Sequence, residues 1–159
     1  MKFHIEQIAI MPRDPIAARE LLAAMGAVTW AQDHVTATGE VFGEVVDVSE
    51  AELSFNYEMN RQDGKPIEFE VLHYVKGSEH WLEGASPSVS HLGMHASEED
   101  LEKWRKFFGD RGIRVAQELR TRHHTNPVIA GKKWYSYVIF DTRRILGVDI
   151  KMIVRREQP

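Results

Sequence analysis

The pattern of apolar and polar positions is clearest in ILGVDIKMIV, Ile145 to Val154. Apolar residues fill most of this stretch, which is typical of a buried β-strand. Asp149 and Lys151 interrupt it two positions apart, so in an extended chain their side chains point to the same face of a sheet. A lysine at the centre of such a strand needs solvent, a charged partner or a polar cavity.

A strand followed by an amphipathic helix is predicted near the start of the chain. HIEQIAIM, His4 to Met11, has strand character, and DPIAARELLAAMG, Asp14 to Gly26, has apolar residues at helical spacing. Asp14 suits the N-cap, Pro15 the first helical position and Gly26 the left-handed stop. Both ends of the helix are therefore marked in the sequence.

The same order of elements returns in the second half of the chain. HLGMHA, His91 to Ala96, predicts a second opening strand, and SEEDLEKWRKFFGDRG, Ser97 to Gly112, a second helix with Ser97 as its N-cap. Strand patterns follow each helix. They cover Val28–Gly39, Ala51–Asn60 and Ile67–Val75, with a hairpin turn at Arg61–Pro66, and then Val115–Leu119, Trp134–Phe140 and Gly147–Val154. The chain therefore predicts two βαβββ modules, at residues 1–80 and 81–159, in one compact domain.

Composition and charge narrow the classes of function. The 159 residues carry a formal net charge of -4, which gives no reason to expect nucleic acid or a membrane surface as a partner. The chain has no cysteine, which excludes disulfides, thiolate nucleophiles and cysteine-bound zinc. No apolar run is long enough to span a membrane. We expect a protein of the reducing cytoplasm.

Four segments carry a resemblance to a known family. QIAIMPRDPIAARELLAAMG and SHLGMH open the two halves, and EFEVLHYVKG and FDTRRILGVDIKMI close them. In this order they resemble the vicinal oxygen chelate superfamily, which includes glyoxalase I, bleomycin-resistance proteins, methylmalonyl-CoA epimerase and extradiol dioxygenases. The resemblance implies an α+β fold, with two tandem βαβββ modules forming a cupped, barrel-like mixed sheet and the helices outside. It also implies a homodimer.

The resemblance carries a metal site over to four positions of this chain. In the family, one residue from the first and last strand of each half holds a divalent metal; here these residues are Gln7, Glu70, His91 and Lys151. The first three resemble the ligands of some glyoxalase I enzymes and suit Zn, Ni, Mn or Fe. Lys151 departs from the family pattern, because metal-binding members have Glu there and an ammonium group has no lone pair to give. A divalent metal and a metal-free site both remain open.

The sequence leaves three placements of Lys151 open. It could line the cavity and pair with Glu70, supplying the positive charge that a metal otherwise brings. It could be solvated on an open sheet face, or the strand register could differ so that Asp149 is the inward carboxylate. His91 could likewise be a hydrogen-bonded core histidine.

Further candidate ligand-binding residues lie outside the four carried-over positions. They are His95, His123, His124, Tyr135, Tyr137 and Asp149. His123 and His124 fall in RTRHHTNPVIAG, Arg120 to Gly131, which predicts a loop; they are exposed there, hold an anion, or form a displaced metal site with His91 and Glu70. Tyr135 and Tyr137 share a strand face and either belong to the core or stack on a ligand.

Three classes of function follow. The first is a glyoxalase-, bleomycin-resistance- or dioxygenase-like protein that binds a small polar molecule in its cavity, with Lys151 altering the metal site. The second is a metal-dependent lyase, isomerase or dioxygenase that uses Gln7, Glu70, His91 and a loop histidine. The third is a metal-free enzyme with Glu70 and Lys151 as catalytic residues, Lys151 acting as base or Schiff-base nucleophile. A salt bridge between Lys151 and Glu70 would oppose the third.

Overall fold

A computed structural model describes residues 2–60, 64–77 and 88–157, with the backbone alone at residues 88 and 89. These residues form a closed barrel of eight strands with three helices. The strands are β1 Gln7–Met11, β2 Ala31–Val41, β3 Glu44–Asn56, β4 Glu68–Lys76, β5 Ser88–Ala96, β6 Val115–His124, β7 Trp134–Phe140 and β8 Asp149–Arg156. The helices are α1 Pro15–Ala24, α2 Glu98–Gly109 and α3 Arg143–Leu146. No helix of the described ranges is long and apolar enough to cross a membrane.

The order of strands around the barrel is β1-β4-β3-β2-β6-β7-β8-β5. β1 pairs with β4 and β5 with β8 in parallel, and the other neighbouring strands are antiparallel. The first four strands and the last four thus follow one plan, and β1–β5 and β2–β6 pairing closes the barrel. The predicted α+β fold with a barrel-like mixed sheet is confirmed. The proposed module boundary at residue 80 lies outside the described residues.

The helix ends and one apolar core agree with the sequence pattern. Asp14 caps α1 by accepting from the backbone N–H groups of Ile16 and Ala17, and Ser97 caps α2 by accepting from that of Asp100. The apolar face of α2 packs on β7 and β8. This core includes Leu101, Trp104, Phe108, Val138, Phe140, Met152 and Val154.

Three predicted boundaries are wrong. β2 and β3 run on to meet at Phe42 and Gly43, whose φ angles of 49° and 83° are the left-handed values that a two-residue hairpin turn requires. β6 continues to His124, so RTRHH is strand and not loop. Ile145 and Leu146 lie exposed in α3, and β8 begins only at Asp149. Of the predicted turn at Arg61–Pro66, residues 61–63 lie outside the described residues.

Candidate functional site

A cavity lies inside the barrel, and the space that the centres of water molecules can occupy in it is about 40 Å³. That volume takes a few waters, or a ligand with few heavy atoms. Its wall combines apolar side chains with polar and charged ones. The polar lining residues are Ser49, Glu70, Tyr74, His91, Gln117, Tyr137 and Lys151. The barrel therefore encloses a small chamber whose wall is charged where Glu70 and Lys151 enter it.

The four positions carried over from the family converge on this wall. Gln7 Oε1 lies 2.9 Å from His91 Nε2 and 3.1 Å from Lys151 Nζ. Glu70 Oε2 lies 3.2 Å from His91 Nε2 and 3.8 Å from Lys151 Nζ. All four side chains are buried. The polar atoms thus form one cluster, with Gln7 Oε1 and Glu70 Oε2 facing the imidazole and the ammonium group.

Strand register explains why these four side chains meet. On one side, β1 places Ala9 between His91 of β5 and Glu70 of β4. On the other, Gly93 of β5 is the partner of both Gln7 and Lys151. A Cβ atom at Gly93 would lie 3.0 Å from Gln7 Oε1, tighter than ordinary van der Waals contact. The absence of a side chain at Gly93 therefore leaves space for the Gln7 amide.

Glu68 sets the direction in which the Gln7 amide points. Gln7 Nε2 donates to Glu68 Oε1 at 2.5 Å, and the Tyr57 hydroxyl donates to the same carboxylate. With its donor end held by Glu68, the amide turns its oxygen to His91 and Lys151. Glu68 was not predicted, although it lies two residues before Glu70 on the same strand face, and the alternation in EFE could have revealed it.

The surroundings of Lys151 suit a positive charge. The residue is only 6% exposed, so placement on a solvated sheet face is wrong. Its ammonium nitrogen contacts the Gln7 carbonyl oxygen, faces the Glu70 carboxylate and lies 4.5 Å from the centre of the Tyr137 ring. A carbonyl dipole, a carboxylate and an aromatic face all attract a cation. These contacts oppose the neutral amine that a base or Schiff-base nucleophile needs.

Glu70 is ionised in this site, whereas His91 is neutral. Burial opposes ionisation of Glu70, but the charge of Lys151 and the contact with His91 outweigh it and hold the Glu70 pKa below its ordinary value. Burial and the nearby Lys151 lower the pKa of His91 to about 4, although Glu70 partly offsets them. The site at neutral pH therefore contains a carboxylate, an ammonium group and a neutral imidazole.

One oxygen of Glu70 has spare hydrogen-bonding capacity. His91 Nε2 has a single hydrogen, and its 2.9 Å contact with Gln7 Oε1 is shorter than its 3.2 Å contact with Glu70 Oε2. No contact of Glu70 Oε2 within the described part of the chain has the geometry of a hydrogen bond. A buried carboxylate oxygen beside an ammonium group is thus available to a donor from a bound molecule.

The donor set does not fit a divalent metal. A cation bound by Gln7 Oε1 and Glu70 Oε2 would lie against the Lys151 ammonium, which contacts the first oxygen and is in ion-pair range of the second. Over the ranges the structure describes, no three His, Asp or Glu side chains are grouped as metal ligands. The displaced metal site with a loop histidine is not formed over these ranges either, since neither His123 nor His124 is grouped there with His91 and Glu70.

The other predicted ligand-binding residues fall into different environments. His95 is exposed at the rim, where its Nδ1 lies 2.9 Å from Glu6. His123 is exposed, while its neighbour His124 is buried. Asp149 is buried and bonded by Arg143, with Oδ2 3.0 Å from the guanidinium, so it is not the free inward carboxylate that a different register would give.

The aromatic candidates form one wall of the barrel. The rings of Tyr135 and Tyr137 are stacked with centroids 6.0 Å apart, and Tyr137 lines the cavity beneath Lys151. His124 meets the Tyr135 ring edge-on, also at 6.0 Å. Asp33, the partner of His124, was not predicted, because the two residues are far apart in the sequence and nothing local links them.

Comparison with known proteins gives structural neighbours only. No family model and no curated protein matches the chain. A variant of Streptomyces coelicolor methylmalonyl-CoA epimerase, in complex with 2-nitronate-propionyl-CoA, aligns with TM-score 0.53 at 17% identity, covering 100% of both chains. The Mycobacterium tuberculosis epimerase has TM-score 0.50 at 11% identity, with 96% of this chain and 88% of that chain covered. A mutant of S. coelicolor 4-hydroxymandelate synthase has TM-score 0.54 at 15% identity, with 98% and 50% covered. These likenesses show the fold.

Acid should destabilise the protein through His91. Because folding holds this imidazole neutral, the unfolded chain binds more protons as the pH falls from about 6.5 to about 4, and the free energy of unfolding falls with it. Between pH 7 and pH 5 we expect a loss of about 2 kcal/mol from this group. Urea denaturation at both pH values measures this loss.

Two variants test whether His91 is the group responsible. The His91→Gln variant should lose less stability over this interval, and the exposed His123→Gln control should match the wild type. An unchanged pH response in His91→Gln would contradict the assignment.

Removing the charge of Glu70 should destabilise the protein more than removing the charge of Lys151. Glu70→Gln leaves a buried ammonium without its carboxylate, and we expect a loss of about 3–5 kcal/mol in urea denaturation. Lys151→Met should cost less, because the carboxylate left behind can bind a proton. The double variant should be more stable than Glu70→Gln alone, since neither charge remains. Small and equal losses in both single variants would mean that the charges do not interact.

Proposed function

We propose that this chain, which has the fold of the vicinal oxygen chelate superfamily, binds a small polar molecule in its barrel without a metal. The Lys151 ammonium group supplies the positive charge that a metal ion would otherwise bring. The observation that carries the proposal is its position, 3.1 Å from Gln7 Oε1 and 3.8 Å from Glu70 Oε2, among the residues that correspond to metal ligands in the family.

The site favours a ligand with two neighbouring polar groups. The ammonium has three N–H donors, and Gln7 uses one, so an oxygen of a ligand can accept another. Glu70 Oε2 can accept a hydrogen bond in return. The apolar remainder of the cavity suits a short carbon skeleton. A small hydroxy-carbonyl or hydroxy-carboxylate compound satisfies all three conditions.

A metal-free enzyme is the second candidate function, favoured by Glu70 Oε2, which lies beside an ammonium group and has no hydrogen-bond partner in the described ranges. In such an enzyme Glu70 would accept a proton from a carbon next to a carbonyl, and Lys151 would hold the carbonyl oxygen. The lowered pKa of Glu70 makes it a weak base at neutral pH, which opposes this role. Binding is therefore the better-supported function, and metal-dependent chemistry would first require Lys151 to be displaced.

The family resemblance also leads us to propose a homodimer. The described barrel already closes on itself within one chain, so a second copy would pack on its outer surface. Light scattering on the purified protein distinguishes a dimer from a monomer by mass.

Lys151→Glu should create a divalent-metal site. The substitution removes the repelling cation and adds a fourth donor, which gives the ligand set of the metal-binding family members. Calorimetry with Mn, Ni or Zn should show stoichiometric binding, and each metal should raise the melting temperature. Lys151→Gln is the matched control, since it removes the charge without adding a carboxylate, and it should bind more weakly. The wild-type protein should be unaffected by these metals or by EDTA; a stoichiometric metal in protein purified without chelator would overturn the metal-free proposal.

Glycolate is a direct probe of ligand binding, because it carries a carboxylate and a neighbouring hydroxyl on a two-carbon skeleton. Titration of the wild-type protein should shift the amide resonances of residues around Lys151 in ¹H–¹⁵N spectra. We expect Lys151→Met to weaken binding at least about tenfold, as loss of one charge-assisted hydrogen bond does. The same substitution at the exposed Lys106 on α2 should leave the affinity unchanged. Equal binding by both variants would contradict the role of Lys151.

A further inference from the structure

Asp33 and His124 form a second buried polar pair, outside the Lys151 cluster. His124 Nδ1 lies 2.6 Å from Asp33 Oδ2. The other oxygen of Asp33 accepts from the backbone N–H groups of Thr125 and Asn126, at 2.8 and 2.9 Å. Both side chains are almost wholly inaccessible to solvent. The carboxylate is thus fixed by three donors, and it fixes the imidazole in turn.

The contact with Asp33 places a proton on Nδ1 of the imidazole. Burial opposes ionisation of Asp33, but the hydrogen bond from His124 and the two backbone donors outweigh it and keep its pKa below the ordinary value. An ionised carboxylate can only accept, so a proton lies on Nδ1. Nε2 is buried and has no hydrogen-bond partner in the described residues. A buried nitrogen in that condition is costly unless a bound molecule supplies a hydrogen-bond partner.

The pair faces the interior of the barrel. His124 of β6 is the direct partner of Val35 on β2, and Val35 lines the cavity. Directly opposed residues of an antiparallel pair point to the same face of the sheet, so the His124 side chain also points inward. The imidazole therefore points into the barrel from β6, the strand opposite β1 in the order of strands.

A continuous aromatic wall joins the two polar groups. The His124 ring meets Tyr135, Tyr135 stacks on Tyr137, and Tyr137 lies beneath the Lys151 ammonium. Tyr135 also lines a surface groove of about 230 Å³, beside Arg122. His124 and Lys151 therefore stand at the two ends of this aromatic wall.

We propose that Asp33 and His124 form a second subsite inside the barrel, next to this cavity, in which His124 Nε2 accepts a hydrogen bond from a hydroxyl group of the ligand. The ring or carbon skeleton of that ligand packs on Tyr135 and Tyr137. The inference rests on the proposed function, because it places a second polar anchor in the same binding site. It adds a chemical class: a hydroxylated molecule with an apolar, preferably aromatic, body.

Phenol and fluorobenzene test this subsite, since they share size and ring but only phenol has a donor. In ¹⁵N spectra of histidine side chains, free wild-type protein should have His124 protonated on Nδ1 alone. Phenol should shift the Nε2 resonance and bind about tenfold more tightly than fluorobenzene, the ratio that one buried hydrogen bond gives. Equal binding of the two probes, binding of neither, or a proton on Nε2 in the free protein would overturn the proposal.

Two variants identify the residue responsible. His124→Phe keeps an aromatic ring but removes the acceptor, so the preference for phenol should disappear. If the unpaired Asp33 prevents folding, the double variant Asp33→Asn with His124→Phe removes the buried charge as well. His123→Gln, the adjacent exposed histidine, should retain the preference. A preference for phenol that survives the His124→Phe substitution, alone or in the double variant, would also overturn the proposal.

The two binding proposals can fail separately. Phenol has no carboxylate and reports on His124, whereas glycolate reports on the residues around Lys151. A phenol-specific response without glycolate binding would remove the Lys151 proposal and keep the His124 subsite. Glycolate binding without a phenol preference would do the reverse.

Discussion

The contact of the Lys151 ammonium with Gln7 and Glu70 is the interaction on which the interior of this barrel depends. A closed eight-stranded barrel buries the side chains that its strands point inward, so charged groups placed there must compensate one another. The first and last strands of each half lie side by side and bring the four polar residues together. A metal would be a dissociable source of positive charge for these donors, whereas the lysine is a permanent one.

The charge of Lys151 also fixes the states of its neighbours. It keeps Glu70 ionised despite burial and helps to keep His91 neutral. Glu68 completes the arrangement by holding the amide nitrogen of Gln7, which leaves the amide oxygen for the cation. The result is an electrically balanced cluster in which one carboxylate oxygen has no hydrogen-bond partner in the described part of the chain, and this combination suits recognition of a polar molecule better than coordination of a metal.

Much of the fold could be predicted from local pattern, and the errors have physical causes. Caps at Asp14 and Ser97 mark both long helices, because the capping contacts are made within a few residues. The end of β6 was mistaken for a loop because its pairing with β2 is irregular: Thr121 and His123 oppose successive residues of β2, and Arg122 is the extra residue of a bulge. A bulge breaks the period of two by which a strand is recognised.

The sequence by itself determined the order of the strands and of the two capped helices, the internal repeat and the inability of a protonated lysine to ligate a metal, since these follow from spacing and from side-chain chemistry; the four polar positions were implied by the resemblance. Only the tertiary structure decided which groups meet. Lys151 contacts Gln7 across 144 residues, and His124 contacts Asp33 across 91. Such pairs are set by the register of strands that become neighbours when the barrel closes, and no local pattern in the chain specifies that register.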